Sequence, residues 1–144
     1  MINITKLTKK LMSQYIDDFI SEVQSFQYQD WTKENYLRDL PNKWEYSIIS
    51  FCNHEIGGFS INSEKNDVFY IHFFYIFQKY RNSKLGSKII ESCVKTAKAK
   101  KKRTIWLKCH RDNIGAINFY FKKKFYILDC DPNNNLFLME RRIY

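Results

Sequence analysis

Phe74-Tyr75-Ile76-Phe77-Gln78-Lys79-Tyr80-Arg81-Asn82-Ser83-Lys84-Leu85-Gly86-Ser87-Lys88-Ile89-Ile90 carries the chain from one kind of structure into another. Its first residues end an apolar and aromatic run, Val68 to Phe77, that barely alternates. Such a run reads as a strand buried on both faces. From Leu85 the period changes: Leu85, Ile89, Cys93, Val94 and Ala97 share one side, with Lys88, Lys95 and Lys98 on the other, which predicts an amphipathic helix. The turn between them is basic. Amide hydrogens from Asn82 to Ser87, the positive end of the helix dipole and the cations of Arg81 and Lys84 converge on one volume, an anion site suited to a pyrophosphate.

Upstream, Ile2 to Leu7 is a weakly alternating first strand. Thr8 caps a helix whose apolar stripe is Leu11, Tyr15, Phe19 and Val23. A second, shorter helix starts near Thr32 and is stopped by Pro41. Trp44 to Phe51 and Ile56 to Ile61 read as paired strands around a turn at Cys52 to Glu55. Gly57 and Gly58 mark a bulge, and Ser63 to Asp67 is the next turn. Downstream, Thr104 to Cys109 is a strand and Asn113 caps a helix to about Lys123. Phe125 to Asp129 and Leu136 to Arg142 close the chain as strands. With no linker or repeat, residues 1–144 read as a single domain: a mixed α/β fold, mostly antiparallel, with helices on the faces of the sheet.

The second informative stretch is Leu107-Lys108-Cys109-His110-Arg111-Asp112-Asn113-Ile114-Gly115-Ala116-Ile117-Asn118-Phe119-Tyr120. With it, the sequence resembles the GNAT superfamily of acetyl-CoA-dependent N-acetyltransferases. The family signature is an apolar strand followed by Q/R-x-x-G-x-G/A at a helix start, and Arg81 to Gly86 matches its first and last positions. Asn113, Ala116, Phe119 and Tyr120 are similar to the family's N-x-x-A-x-x-aromatic-Tyr helix, and Phe119 to Phe125 to its Tyr-x-charged-x-Gly-Phe ending. The resemblance covers Glu55 to Arg142. Lys84 and Lys124 stand where the family has glycine; a lysine at positive φ costs about 1 kcal/mol. Asn82 stands where many members have another glycine, and asparagine tolerates the left-handed region.

The resemblance implies a sheet splayed between two central strands, the one holding Phe74 and Ile76 and the one near Leu107, with acetyl-CoA as co-substrate lying in the opening. The backbone of Phe74, Tyr75 and Ile76 would bind the pantetheine arm, and Arg81, Asn82, Ser83, Lys84, Leu85, Gly86 and Ser87 the pyrophosphate. Asn113 would contact the same arm as well as cap its helix, and Tyr120 would protonate the departing thiolate. Relatives carry a glutamate base on a central strand, where this chain has Tyr70 and Lys108. His72 and His110 are the candidate bases by intrinsic pKa, with deprotonation through water as the third route. Cys109, inside a strand with no activating partner, is not read as a nucleophile.

The function this implies is direct transfer of acetyl from acetyl-CoA to a primary amine of a small molecule or protein. Two alternatives stand beside it: an acyl-CoA sensor with weak catalysis, and an RNA- or aminoacyl-tRNA-directed acetyltransferase. The last is motivated by 24 Lys and Arg against 15 Asp and Glu, a formal charge of +9. Lys98 to Arg103 is read as a solvated helix end rather than a nucleic-acid surface, since it lacks interleaved aromatics. Four scattered cysteines without a CxxC pair point to reduced thiols, no metal site and a cytoplasmic setting. No run is long enough for a membrane helix, and the aromatic C-terminal strand offers an edge for a homodimer. Glu22, Asp30, Glu34 and Asp39 are the acidic residues open to a cationic acceptor, although solvated helix charge is the commoner role.

Overall fold

Thr8, two residues after the first strand, begins the first helix. In the computed structural model, which describes all 144 residues, β1 (Ile2–Lys6) leads into α1 (Lys9–Val23), and the Thr8 hydroxyl accepts the Leu11 amide at 3.2 Å. The buried stripe of α1 is Met12, Ile16, Phe19 and Val23. It is turned one position from expectation at its start, leaving Leu11 and Tyr15 at the margin of the core.

Thr32 opens α2 (Lys33–Leu37) with a capping box, its hydroxyl accepting the Asn35 amide while the Asn35 side chain accepts the Thr32 amide. The helix ends at Leu37, short of the expected stop at Pro41. Arg38 is extended, and the buried Lys43 ammonium donates to the carbonyls of Asn35, Tyr36 and Arg38 at 3.3, 2.8 and 2.6 Å. Lys43–Tyr46 forms one helical turn, α3, where a strand was expected from Trp44. The Trp44 indole donating to Asp39 at 2.8 Å holds that turn, so β2 starts only at Ile48 (Ile48–Cys52).

β3 (Glu55–Lys65) and β4 (Val68–Ile76) complete a meander. Both hairpin loops have two residues at positive φ, Asn53-His54 and Asn66-Asp67, the twist that two-residue loops require. The second turn is therefore narrower than predicted, and β3 runs through Ser63. Two bulges interrupt the pairing. Gly57 is the extra residue against β2, as its glycines predict, and His72 is the extra residue of β4 against β3. After a 3-10 turn at Gln78–Tyr80 come α4 (Leu85–Ala99), β5 (Thr104–His110), α5 (Ile114–Lys122), β6 (Tyr126–Asp131) and β7 (Leu136–Arg142).

All seven strands form one sheet in the order β1-β2-β3-β4-β5-β7-β6, antiparallel throughout except for β4 beside β5. One core, around Phe19, Tyr36, Phe59 and Phe73, packs α1 and α2 on one face; the other, around Phe69, Ile89, Ile90 and Leu107, packs α4 and α5 on the opposite face. The chain thus has the mixed, mostly antiparallel, splayed sheet with helices on both faces that the sequence implied. No helix is long and apolar enough to cross a membrane.

Candidate active site

β4 and β5 pair through only three residues each, Phe69–Ile105, Tyr70–Trp106 and Ile71–Leu107, and then part. His72 on β4 and Lys108 on β5 are the first residues beyond the fork. The Phe77 amide donates to Gly57 O on the β3 side at 2.9 Å. By strand alternation the amides of Phe74 and Ile76 turn the other way, into the opening, while that of Tyr75 faces β3. An unpaired strand edge of this kind offers hydrogen bonds to the amides of an extended ligand.

The cleft that fills this opening measures about 500 Å³ and reaches from the turn after β4 to the start of α5. At one end Asn82 takes φ 59, as its residue type allows, and the 3-10 turn before it swings Arg81 back so that Nε donates to Ile76 O at 3.1 Å. The amides of Asn82, Ser83, Lys84, Gly86 and Ser87 donate to no group of the protein; Leu85 N donates to the Ser83 hydroxyl at 3.2 Å. These amides, the α4 dipole and the Arg81 guanidinium form an anion cradle. Gly86 leaves room for the wall of the cleft: a Cβ there would stand 3.2 Å from Phe119 Cζ, so that ring would have to give by a few tenths of an ångström. Lys84 sits at φ −83, so the strain expected at this departure from the family pattern is absent. Its side chain, those of Leu85 and Ser87, lie outside the cleft lining; Leu85 is a core residue.

The floor belongs to α5. Asn113 caps it, accepting the Ala116 amide at 3.4 Å, and also lines the cleft. Tyr120 is 7% exposed, packed between the rings of Phe74, Phe119 and Phe125. Its hydroxyl makes no hydrogen bond in the protein yet is not sealed, because the residue lines the cleft. Burial, with the nearby Cys109 and Cys93, pushes its pKa well above the ordinary phenol value, so it stays protonated. Burial likewise pushes the Cys109 thiol up to about 11, which leaves no thiolate for a nucleophilic role.

The two histidines both line the cleft but differ in setting. His72 Nε2 lies 2.6 Å from the buried Ser63 hydroxyl, and burial, reinforced by the charges of Lys65 and Lys43, lowers its pKa to about 4. It is neutral at physiological pH. The His110 ring lies against that of Tyr28, tilted by 38° with centroids 5.0 Å apart, and its Nδ1 accepts the Asp112 amide at 3.2 Å. Tyr28 donates to Asp112 O at 3.2 Å, so the segment after α1 crosses the split and brings Phe26, Tyr28 and Gln29 into the lining. Sequence reasoning missed these three. They follow the helix in a stretch without a motif, and only tertiary contact carries them over β5.

The basic run after α4 is not wholly solvated as expected. Lys102 is buried between Glu64 and Asp67, and Lys100 pairs with Glu45 at 3.6 Å. Of the acidic residues considered for an acceptor, Glu22 is occupied by the Gln78 amide and the Tyr75 hydroxyl, and Asp39 by Trp44 and Lys9. None of the four lines the cleft.

The geometry fits coenzyme A: an anion cradle for the pyrophosphate, an unpaired strand edge and a half-apolar channel leading to a buried phenol. Known structures share the architecture. Ard1 from Thermoplasma volcanium superposes with a TM-score of 0.85 at 20% identity, covering 99% of this chain and 98% of that one. The ribosomal-protein-S18-alanine N-acetyltransferase of Escherichia coli gives 0.83 at 15%, covering 99% and 94%. The PaiA N-acetyltransferase of Thermoplasma acidophilum, in complex with coenzyme A, gives 0.77 at 20%, covering 99% of each. No curated protein matches the sequence. The sequence model of the acetyltransferase (GNAT) family matches residues 6–125, and with that match the chain belongs to this family of acetyl-CoA-dependent N-acetyltransferases.

Proposed function

We propose that the protein transfers acetyl from acetyl-CoA directly to a primary amine of a small molecule or a protein, with Tyr120 as the general acid. The observation that carries this is the Tyr120 hydroxyl, protonated and free at the floor of the β4–β5 opening. Acetyl-CoA supplies an acyl group on a thiol leaving group. The cradle at Asn82 to Ser87 and Arg81 holds its phosphates, and the inward amides of Phe74 and Ile76 align its arm. An amide aimed at the thioester oxygen stabilises the charge developing there. The amine nitrogen forms the new C–N bond as the C–S bond breaks; its proton leaves through water in the cleft, and Tyr120 gives a proton to sulfur. With pKa held near 4, His72 positions that water rather than storing the proton; the His110 Nδ1 is occupied by the Asp112 amide, so the proton passes on through water.

Two of the related structures speak for the protein class of acceptor: the E. coli enzyme is named for a ribosomal protein alanine, and Arabidopsis thaliana Naa50 was solved with a CoA-peptide bisubstrate analogue. The sensor reading loses one of its two motives, because Lys84 is unstrained. Following thiol release with acetyl-CoA over a panel of amines and peptides tests the proposal. Tyr120→Phe should lower kcat by about 10²- to 10⁴-fold while coenzyme A affinity, read by calorimetry, stays within about twofold. Unchanged kcat with chemistry rate-limiting would remove Tyr120 from the reaction, and tight binding with no turnover on any acceptor would favour the sensor.

A further inference from the structure

Beyond the fork the cleft has an unusual charge pattern for a protein that takes an amine. None of the residues lining it is an aspartate or a glutamate; its charged members are Arg81 and Lys108. Arg81 is committed at the cradle end, bonded to Ile76 O and lying over the Tyr75 ring at 5.1 Å. Lys108 stands at the other end. Being two residues from His110 on β5, it shares the face over which Phe26 to Gln29 cross, opposite to the buried Leu107 and Cys109. It is exposed and takes part in none of the molecule's ion pairs. Two carboxylates, Asp129 and Asp131, belong to a separate depression beside β6 that Lys108 borders, and the pKa of Asp131 is lowered by its hydrogen bond from Asn134 first and by the charge of Lys108 last.

We propose that the acceptor is an amine carrying a carboxylate near the nitrogen and an apolar body, and that Lys108 selects it by pairing with that carboxylate. This rests on the acetyl-transfer reading above. A single ammonium flanked by neutral groups can shed its proton and react. A second fixed cation, as in a diamine or polyamine, would meet Lys108 in a cleft with no carboxylate to offset it. The rings of Phe26, Tyr28 and Phe73 in the lining suit an aromatic or aliphatic side chain. Lys108 is thus a specificity-determining residue and takes no part in bond making.

Three amines separate the terms: phenylalanine; 2-phenylethylamine, which lacks only the carboxylate; and putrescine, a smaller diamine with a second cation and no ring. Initial rates of thiol release should give phenylalanine a kcat/KM at least about tenfold above 2-phenylethylamine, expressed mainly in KM, with putrescine lowest. Lys108→Glu should invert the order of phenylalanine and putrescine, and the wild-type preference should shrink in 1 M salt. Coenzyme A affinity of the variant, read by calorimetry, reports whether it folds. Rates that ignore acceptor charge, or a Lys108→Glu enzyme with the wild-type order, would overturn the acceptor class and leave acetyl transfer standing. No turnover on any amine would overturn both.

Discussion

Nine non-glycine residues hold positive φ, and none of the four glycines does. Five of the nine are asparagines, the residue type best able to replace glycine in the left-handed region. Two are lysines in equivalent places. α4 and α5 both end in Schellman motifs: Lys102 N donates to Ala97 O and Lys101 N to Lys98 O, while Phe125 N donates to Tyr120 O and Lys124 N to Phe121 O. The positions that demand positive φ are Lys101 and Lys124, at 59 and 69. Lys124→Gly should therefore stabilise the protein by about 1 kcal/mol, or about 3 °C in Tm. Lys84→Gly should instead cost about 0.5 kcal/mol, because φ −83 gives glycine nothing to relieve. Differential scanning calorimetry of the two variants checks both signs. The family pattern identified both lysines as departures; only the backbone shows that one is strained.

At the scale of elements, the caps and the end of α5 were legible, and the end of α2 was not. Thr8, Thr32 and Asn113 start helices where the sequence placed them, since a cap needs only neighbours three residues away. The end of α2 depends on Lys43, whose ammonium arrives from the next element to seat three carbonyls. That buried lysine, with its pKa pulled by burial to about 8, is invisible to periodicity. Lys43→Met should leave those carbonyls without a donor and destabilise the fold by about 3 kcal/mol. Urea unfolding should show the midpoint falling by more than 1 M, taking m as about 2 kcal/mol/M. The bulge at His72 was equally hidden, because it arises from a register shift between β3 and β4. It matters to the site: the extra residue sits where the two central strands part.

For the whole molecule, the sheet is held together at its middle by three parallel residue pairs, and a ligand lying in the opening would touch β4 on one side and α5 on the other. Binding there should stabilise the native state as a unit. Coenzyme A at about 100 times its Kd should add about 2.7 kcal/mol, raising Tm by roughly 5–10 °C. Scanning fluorimetry across a coenzyme A titration reads this directly, and an unmoved Tm at saturating ligand would contradict binding across the split.

What the sequence determined by itself was local and periodic: the buried strand Val68 to Phe77, the basic turn, the amphipathic helix behind it, and a second strand-helix ending in Tyr120. Those signals are written in neighbouring residues, through side-chain spacing and amides left free at a helix start. The tertiary structure decided the rest. It placed β7 between β5 and β6, parted β4 from β5 after Ile71, carried Phe26 to Gln29 across the gap, and buried Lys43 and Lys102. Each of these depends on contacts between residues remote in the chain, where packing and charge pairing choose among arrangements that local propensity leaves equal.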